Sequence, residues 1–355
     1  MSKDKALIAM SGGVDSAVAA LLLKNKYELT GITMQLWSDA LPVPEAYDVS
    51  PDANSQEAKK IADLLGFPHR SVALGESFRK CVIEPFIEAY RKGATPNPCV
   101  ECNKNLKFGK LFDIADRMSI PYLATGHYAK IEKDCNGNYS LKKAFDSSKD
   151  QSYFLWSIKK ERLPFILFPL GEYTKSQIRD IASEHGFSNA SRSDSQDICF
   201  IPDGDYVSFI EKQDGPIVSR GNFVDTEGNI LGQHQGIERY TIGQRKGLGI
   251  ALGIPMFVGA KNAADNSVML CSDNALYKGA LTAHSVNLLV DGCLDTPARL
   301  QARIRYRHTP ATATVERIEN DRISVTFDIP QRAISSGQSV VLYDGDTVIG
   351  GGIIE

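Results

Sequence analysis

The chain has 355 residues, 40 Lys and Arg against 43 Asp and Glu, and a formal net charge of −3. That length admits two or three domains, and the charge excludes a general affinity for polyanions, so any nucleic-acid site must come from local clustering. Met1-Ser-Lys-Asp-Lys5 starts no apolar leader and no run of 18 apolar residues follows, so neither a signal peptide nor a membrane span is expected.

In chain order, the apolar run Ala6-Leu-Ile-Ala-Met10 predicts a strand, Ser11-Gly-Gly-Val-Asp-Ser16 a glycine turn, and Ala17 to Leu23 a helix. N–H groups at such a helix start, with the dipole behind them, bind phosphate. Gly12 and Gly13 admit an anion closely, and the Ser11 and Ser16 hydroxyls can donate to it. A phosphate loop of the GxxxxGK[ST] kind would end in lysine, and this turn has none. The plainer alternative is a turn that only caps a helix.

Glu28 to Leu36 is a further predicted strand, Ser38 to Asp52 a loop with three prolines, and Ala58, Ile61, Ala62 and Leu65 one face of a helix. Ser71 to Leu74 predicts a short strand, Phe78 to Tyr90 a helix, and Pro121 to Thr125 a strand ending at Gly126-His127. Asn136-Gly137 marks a hairpin. This alternation argues for a parallel sheet wrapped by helices, with ligands at the carboxyl ends of its strands. Beyond about residue 205 glycine rises and helical periods fade. From about 280, alternating segments at 299–307, 312–318, 323–327, 339–343 and 348–354, separated by turns such as Asn320-Asp321 and Asp344-Gly345, suggest a small antiparallel barrel or sandwich. The expected division is 1–205 for the α/β catalytic domain, 206–278 for a connecting domain of unread fold, and 279–355 for the β domain.

Seven cysteines at uneven spacing fit a reducing cytoplasm rather than a disulfide framework. Cys99 and Cys102 form a CxxC in Thr95-Pro-Asn-Pro-Cys-Val-Glu-Cys-Asn-Lys-Asn-Leu-Lys107, and Cys199 lies in Ser195-Gln-Asp-Ile-Cys-Phe-Ile201. Half a zinc site and a redox pair, with Lys104 and Lys107 favouring thiolate, are both open, although no second CxxC completes a zinc site. Cys81, Cys135, Cys271 and Cys293 read as plain buried cysteines.

Ser11 to Ser16 resembles the SGGxDS loop of the ATP pyrophosphatases, which hold the β,γ-pyrophosphate of ATP and pass AMP to a substrate. Over nearly its whole length the chain resembles the tRNA-specific 2-thiouridylases (MnmA/TrmU family). The resemblance rests on that loop and on Thr95-Pro-Asn-Pro98, Cys102-Asn-Lys104, Thr125-Gly-His-Tyr-Ala129, Lys149-Asp-Gln-Ser-Tyr-Phe-Leu155, 196–201, Tyr240-Thr-Ile-Gly-Gln-Arg-Lys-Gly-Leu248, Arg305-Tyr306 and Gly350-Gly-Gly352. It implies a PP-loop (adenine nucleotide α-hydrolase-like) domain with a parallel sheet, a small central domain and a C-terminal antiparallel β-barrel. It also implies adenylation of O2 of the wobble uridine, position 34, by ATP with Mg2+, followed by sulfur transfer that releases AMP and leaves 2-thiouridine.

On this resemblance Cys199 carries a persulfide and Cys102 activates or resolves it, so that a Cys102–Cys199 disulfide forms as product leaves. ATP would meet Ala9, Met10, Ser11, Gly12, Gly13, Val14, Asp15, Ser16, Met34 and Gly126. The wobble base would meet Asn97, Pro98 and Cys99, and the tRNA (Lys, Glu and Gln isoacceptors) His127, Lys149, Asp150, Gln151, Arg305, Tyr306 and Gln338. A cysteine desulfurase or sulfur relay protein would supply the sulfur.

One residue departs from the family pattern. Cys99 stands where the resemblance leads one to expect the aspartate of Pro-Asn-Pro-Asp, which puts that acid's proton-transfer role in doubt. Either the thiol takes over the proton, or Cys99, Cys102 and Cys199 hold a [4Fe–4S] cluster with one open iron. Plainer readings stand beside the others. Met34 reads equally as core and His127 as a satisfied loop histidine. Arg299, Arg303, Arg305, Arg307 and His308, alternating with Leu300, Ala302, Ile304 and Tyr306, read as a solvated strand face or as a phosphate stripe. Another PP-loop pyrophosphatase would share the first loop but has no need of Cys102 with Cys199. A non-catalytic tRNA-binding protein would not need Ser11 to Ser16 intact.

Overall fold

A computed structural model describes residues 3–38, 41–42, 44–187, 189, 198–217, 219–319 and 321–355. The chain forms two compact units, one of residues 1–82, 99–196 and 346–348, the other of residues 83–98, 197–345 and 349–355.

The first unit is built on a parallel sheet. Strands β1 (Asp4–Ala9), β2 (Tyr27–Gln35), β3 (His69–Ala73), β4 (Tyr122–Ala124) and β5 (Ile166–Leu167) lie in the order β5-β4-β1-β2-β3, and Ala46–Tyr47 adds an antiparallel edge. Ala6, Leu7 and Ile8 are fully buried, as expected for a central parallel strand covered on both faces. Helices α1 (Val14–Leu23), α2 (Ala53–Leu65) and α3 (Lys175–Glu184) pack on it through Ala17, Val18, Ala58, Ile61, Ile178 and Ala182. The hairpin expected at Asn136-Gly137 joins Lys130–Lys133 to Tyr139–Lys142, with Gly137 at φ +90°.

Three expectations need correction. The proline-rich segment 38–52 is not all loop, since Ala46–Tyr47 pairs with β3. Phe78 to Tyr90 is not one α-helix: Gly75–Phe78 is followed by π-helical Arg79–Ile83 and then by Glu84–Arg91 with Pro85 in its first turn. Of the four cysteines read as buried only Cys271 is so; Cys81 and Cys293 are half-buried, and Cys135 is exposed beside the hairpin turn.

In the second unit, helix α4 (Tyr206–Asp214) precedes a four-stranded sheet of β6 (Gly221–Val224), β7 (Ile230–His234), β8 (Phe257–Asn262) and β9 (Ser267–Cys271). Its order is β7-β6-β9-β8, and β6 and β9 run parallel. Phe223, Ile237, Tyr240, Val258, Val268 and Leu270 form its core. The parallel pair explains why hairpin signals alone left this domain unread.

A closed six-stranded barrel follows: β10 (Tyr277–Leu288), β11 (Ala298–Arg303), β12 (Ala311–Glu319), β13 (Arg322–Arg332), β14 (Ser339–Asp344) and β15 (Thr347–Ile354). β15 closes it by pairing with β10, at Ala283–Ile354 and Leu288–Gly350 among others. Alternate residues Leu300 and Ala302, Ala313 and Val315, Val325 and Phe327 fill the interior. At Gly350 a Cβ would lie 2.3 Å from the Asn287 carbonyl, so the seam requires glycine. The strand expected at 299–307 stops at Arg303, because the chain turns there and His308 N–H donates to the Arg305 carbonyl at 3.0 Å.

Candidate nucleotide and RNA site

β1 carries the chain to Ser11 at the carboxyl edge of the sheet. Gly12 turns there with φ +74°, and a Cβ on it would lie 2.7 Å from the Asn54 carbonyl. Gly13 is the N-cap of α1 and has no side chain with which to cap the first turn. Among the described residues a Cβ on Gly13 would meet only Ser11 Oγ, at 3.3 Å, so on that side the loop forms a cradle. Ser16 is buried and its hydroxyl donates to the Gly13 carbonyl at 3.0 Å, while Ser11 N–H donates to Ser16 Oγ at 3.2 Å. Both serine hydroxyls therefore shape the loop as well as offering contacts to a ligand.

The chain progresses outward from β1 through β2 to β3 on one side and through β4 to β5 on the other, so the order reverses between β1 and β4. Ligands bind at such a reversal in open α/β sheets. Gly126, just beyond β4, closes it: a Cβ there would sit 3.0 Å from Ser16 N and from the Asp15 carbonyl carbon. Met34 is half-buried at the end of β2, opposite Val72, and Thr33 Oγ1 donates to the Met10 carbonyl at 2.7 Å. Ala9 to Ser16, Met34 and Gly126 thus share one sheet edge.

Three residues that sequence reasoning missed belong to this loop. Asn189 Nδ2 donates to the Gly12 carbonyl at 2.9 Å. Tyr128 Oη donates to Asp15 Oδ1 at 2.7 Å, and Lys175 Nζ reaches both Asp15 oxygens at 2.7 and 2.8 Å. The only sequence signal for Lys175 was the capping box Thr174-Lys-Ser-Gln177, which marks a helix start and says nothing of where that helix points.

On the same unit Cys99 and Cys102 lie in Pro98–Cys102, which continues as π-helical Asn103–Lys110 and then as Leu111–Arg117. Cys99 is exposed and Cys102 buried. Asn103 Nδ2 donates to the Phe154 carbonyl at 2.9 Å, joining the Cys102-Asn-Lys104 motif to Lys149–Leu155. That second motif is joined to Thr125–Ala129 in turn: Tyr128 N–H donates to Gln151 Oε1 at 2.9 Å and Gln151 N–H to the Tyr128 carbonyl at 2.8 Å. Three motifs scattered along the sequence are one hydrogen-bonded assembly.

Asp150 is buried and accepts from Ala144 N–H at 3.1 Å and Ser152 Oγ at 2.9 Å, so it shapes the turn in which Lys149 stands half-buried. His127 is buried between Phe108 and Phe168, 2.7 Å from Thr125 Oγ1 and 3.4 Å from Lys107 Nζ. Burial, and after it the Lys107 charge, hold its imidazole well below the usual histidine range. It is neutral at pH 7 and offers hydrogen bonds rather than charge.

In the second unit Cys199 is exposed, and residues 195–197 of its motif lie outside the described residues. The neighbouring Phe200 is buried, with ring centroids 5.4 Å from Phe86 and 5.1 Å from Phe209, which anchors the chain beside the thiol. Asn97 and Pro98 follow a segment tied to the barrel: Thr95 N–H donates to the Ser336 carbonyl at 2.8 Å, and Gln338 Nε2 to the Thr95 carbonyl at 2.9 Å.

The arginine row is divided by its partners. Arg299 is paired with Asp328, whereas Arg303 donates to the Tyr306 carbonyl and lies over that ring. Arg305 reaches the Arg332 carbonyl at 3.3 Å, and Arg307 is exposed. Apart from Arg299 with its Asp328 partner, the exposed cationic head in this row lies at Arg307, in the turn beyond β11.

No disulfide joins any of the seven cysteines. A cluster would need three thiolates on one centre. Cys99 and Cys102 stand in opposite surroundings one turn apart, and among the described residues no three His, Cys, Asp or Glu side chains gather as a metal site. Mg2+ asks less, one or two carboxylates with substrate phosphates, and Asp15 supplies one at the loop.

An uncapped glycine-turn helix start at the reversal point of a parallel sheet, followed by a small mixed domain and a closed barrel, defines a nucleotide-binding protein of the HUP type with two β-rich appendages. Family models agree in each part. The tRNA methyl transferase HUP domain matches residues 4–203, the tRNA methyl transferase PRC-barrel domain 208–272, and the aminomethyltransferase beta-barrel domain 278–354. The tRNA-specific 2-thiouridylase MnmA of Clostridioides difficile is 46% identical over 353 residues, covering 99% of this chain and 98% of its own. That of Acetivibrio thermocellus is 46% identical over 359 residues, with all of both chains covered. The chain belongs to the tRNA-specific 2-thiouridylase family.

Proposed function

We propose that this protein is a cytoplasmic tRNA-uridine 2-sulfurtransferase that makes 2-thiouridine at position 34 of the Lys, Glu and Gln isoacceptors. The observation that carries this reading is the glycine cradle at the sheet's reversal point in a chain that aligns end to end with 2-thiouridylases. The working division is catalytic domain 1–205, connecting domain 206–278 and barrel 279–355.

A carbonyl oxygen is a poor leaving group. Uridine O2 attacks the α-phosphorus of ATP, the bond to the bridging oxygen breaks, and pyrophosphate leaves with the electron pair. Ala9 to Ser16, with Met34 and Gly126, hold the nucleotide; Mg2+, when bound, offsets phosphate charge. Asn97, Pro98 and Cys99 meet the base, and His127, Lys149 to Gln151, Arg305, Tyr306 and Gln338 serve the tRNA.

Cys199, loaded by a desulfurase or relay protein, attacks C2 through its terminal sulfur and AMP leaves. The Cys102 thiolate then attacks Cys199 Sγ, which frees the thiolated base and forms a Cys102–Cys199 disulfide that an external thiol reduces. The exposure of Cys199 supports its role as the loaded thiol, because a donor protein must reach it.

The test is AMP and pyrophosphate release with and without tRNA. Cys199→Ser should stop thiolation and leave tRNA-dependent AMP formation intact. Release that ignores tRNA would sink the assignment, and activity that needs copurified iron and is lost on chelation would sink the persulfide route.

A further inference from the structure

The loop Ser11 to Ser16 lacks the lysine with which phosphate loops usually neutralise their ligand. The fold brings one back. Lys175, 160 residues from Asp15, is 7% exposed and sets its ammonium against both carboxylate oxygens of Asp15, with Tyr128 beneath it at 5.7 Å from Nζ to the ring centroid. Its backbone is fixed as firmly as its head. Lys175 N–H donates to Asp146 Oδ2 at 3.0 Å, and the Thr174–Gln177 capping box holds the turn.

This is a costly place for a lysine. As the first residue of α3 it stands at the positive end of a helix dipole, where a cation is disfavoured, and burial adds desolvation and lost rotamer freedom. A local conflict of that kind, held by the surrounding structure, marks function. The first turns of α1 and α3 are bridged by the ion pair, with Asp15 on the ammonium and Asp146 on the α3 backbone.

We propose that Lys175 is the missing phosphate lysine: it binds the β,γ-pyrophosphate of ATP and stabilises pyrophosphate as it leaves, and Asp15 holds the ammonium over the cradle until nucleotide arrives. The inference rests on the adenylation reading above. In that step the bond between the α-phosphorus and the bridging oxygen breaks. The electron pair stays on pyrophosphate, whose added charge the ammonium meets, and nothing is oxidised.

The test uses the full chain and needs no tRNA, which separates it from the test of the thiouridylase reading. Lys175→Met should weaken binding of inorganic pyrophosphate about 10- to 100-fold, the loss of one charge-assisted contact, and leave AMP binding unchanged. Lys175→Arg should recover most of it. Unchanged pyrophosphate binding, or equal loss of AMP and pyrophosphate, overturns the proposal. Should Lys175→Met fail to fold, the wild-type protein decides. An adenosine polyphosphate ending in pyridoxal condenses its aldehyde with a nearby amine, losing water, and borohydride reduces the imine. Peptide mapping should place the label on Lys175; label on another lysine, or none, overturns the assignment. If wild-type protein shows both results yet makes no tRNA-dependent AMP, the thiouridylase reading falls and the lysine assignment stands.

Discussion

His127 shows how one residue changes meaning on folding. In the unfolded chain it takes a proton near pH 6.5, whereas in the folded protein burial, with Lys107 beside it, keeps it neutral to a much lower pH. The unfolded state thus binds more protons as pH falls. The stability His127 contributes is complete above about pH 6.5 and is lost progressively below it. His127→Gln should flatten the acid-side fall in the unfolding free energy measured in urea between about pH 6.5 and 5, by up to about 1.4 kcal/mol per pH unit. An identical acid limb in the variant would show that the histidine is not enclosed. Asp150 makes a related point: its motif was visible in the sequence, but its engagement with Ala144 and Ser152 was not, because nothing local says which backbone groups a carboxylate will meet.

At the scale of elements, the β1–turn–α1 unit was legible because strand, glycine turn and helix are set by local preference. The start of α3, with its capping box at Thr174, went unread although its signal is equally local. The π-helical stretches Arg79–Ile83 and Asn103–Lys110 were not legible, since an inserted residue leaves an apolar pattern close to helical. Gly126 belongs to contact rather than propensity: its backbone touches the first turn of α1 from another strand. Gly126→Ala places a Cβ at 3.0 Å from Ser16 N, and either loop or strand must move. A displacement of about 1 Å at a reacting centre can cost about 10²-fold, so the smaller shift here should lower tRNA-dependent AMP formation by about 10-fold. Thermal unfolding should report a loss of about 1–3 kcal/mol. Full AMP formation in that variant would remove Gly126 from the nucleotide site.

For the whole molecule, net charge gave no hint of an RNA partner, and the arginine row looked more promising as a strand than it is. Arg299 is held by Asp328 and Arg303 by Tyr306, so the phosphate contact proposed above is tested at the turn beyond β11. Arg305→Ala should weaken tRNA binding and lower the slope of log K against log salt by about 0.7–0.9, one phosphate's counterion release. An unchanged slope across a salt series would return this face to solvent. Arg299→Ala should leave the slope unaltered and serves as the control.

By itself the sequence determined the elements whose signals are local: the α/β alternation, the glycine turn, the barrel strands with their period of two, and the motifs that place the chain among the 2-thiouridylases. Only the tertiary structure decided which of those motifs share hydrogen bonds, where the arginine strand ends, that Gln338 holds the Thr95 backbone, and that a lysine from α3 completes a loop near the N-terminus. The physical reason is range. Propensity, capping and side-chain period act within a few residues, whereas the Lys175–Asp15 pair depends on how helices separated by about half the chain pack on one sheet, and that follows from the burial of the whole core.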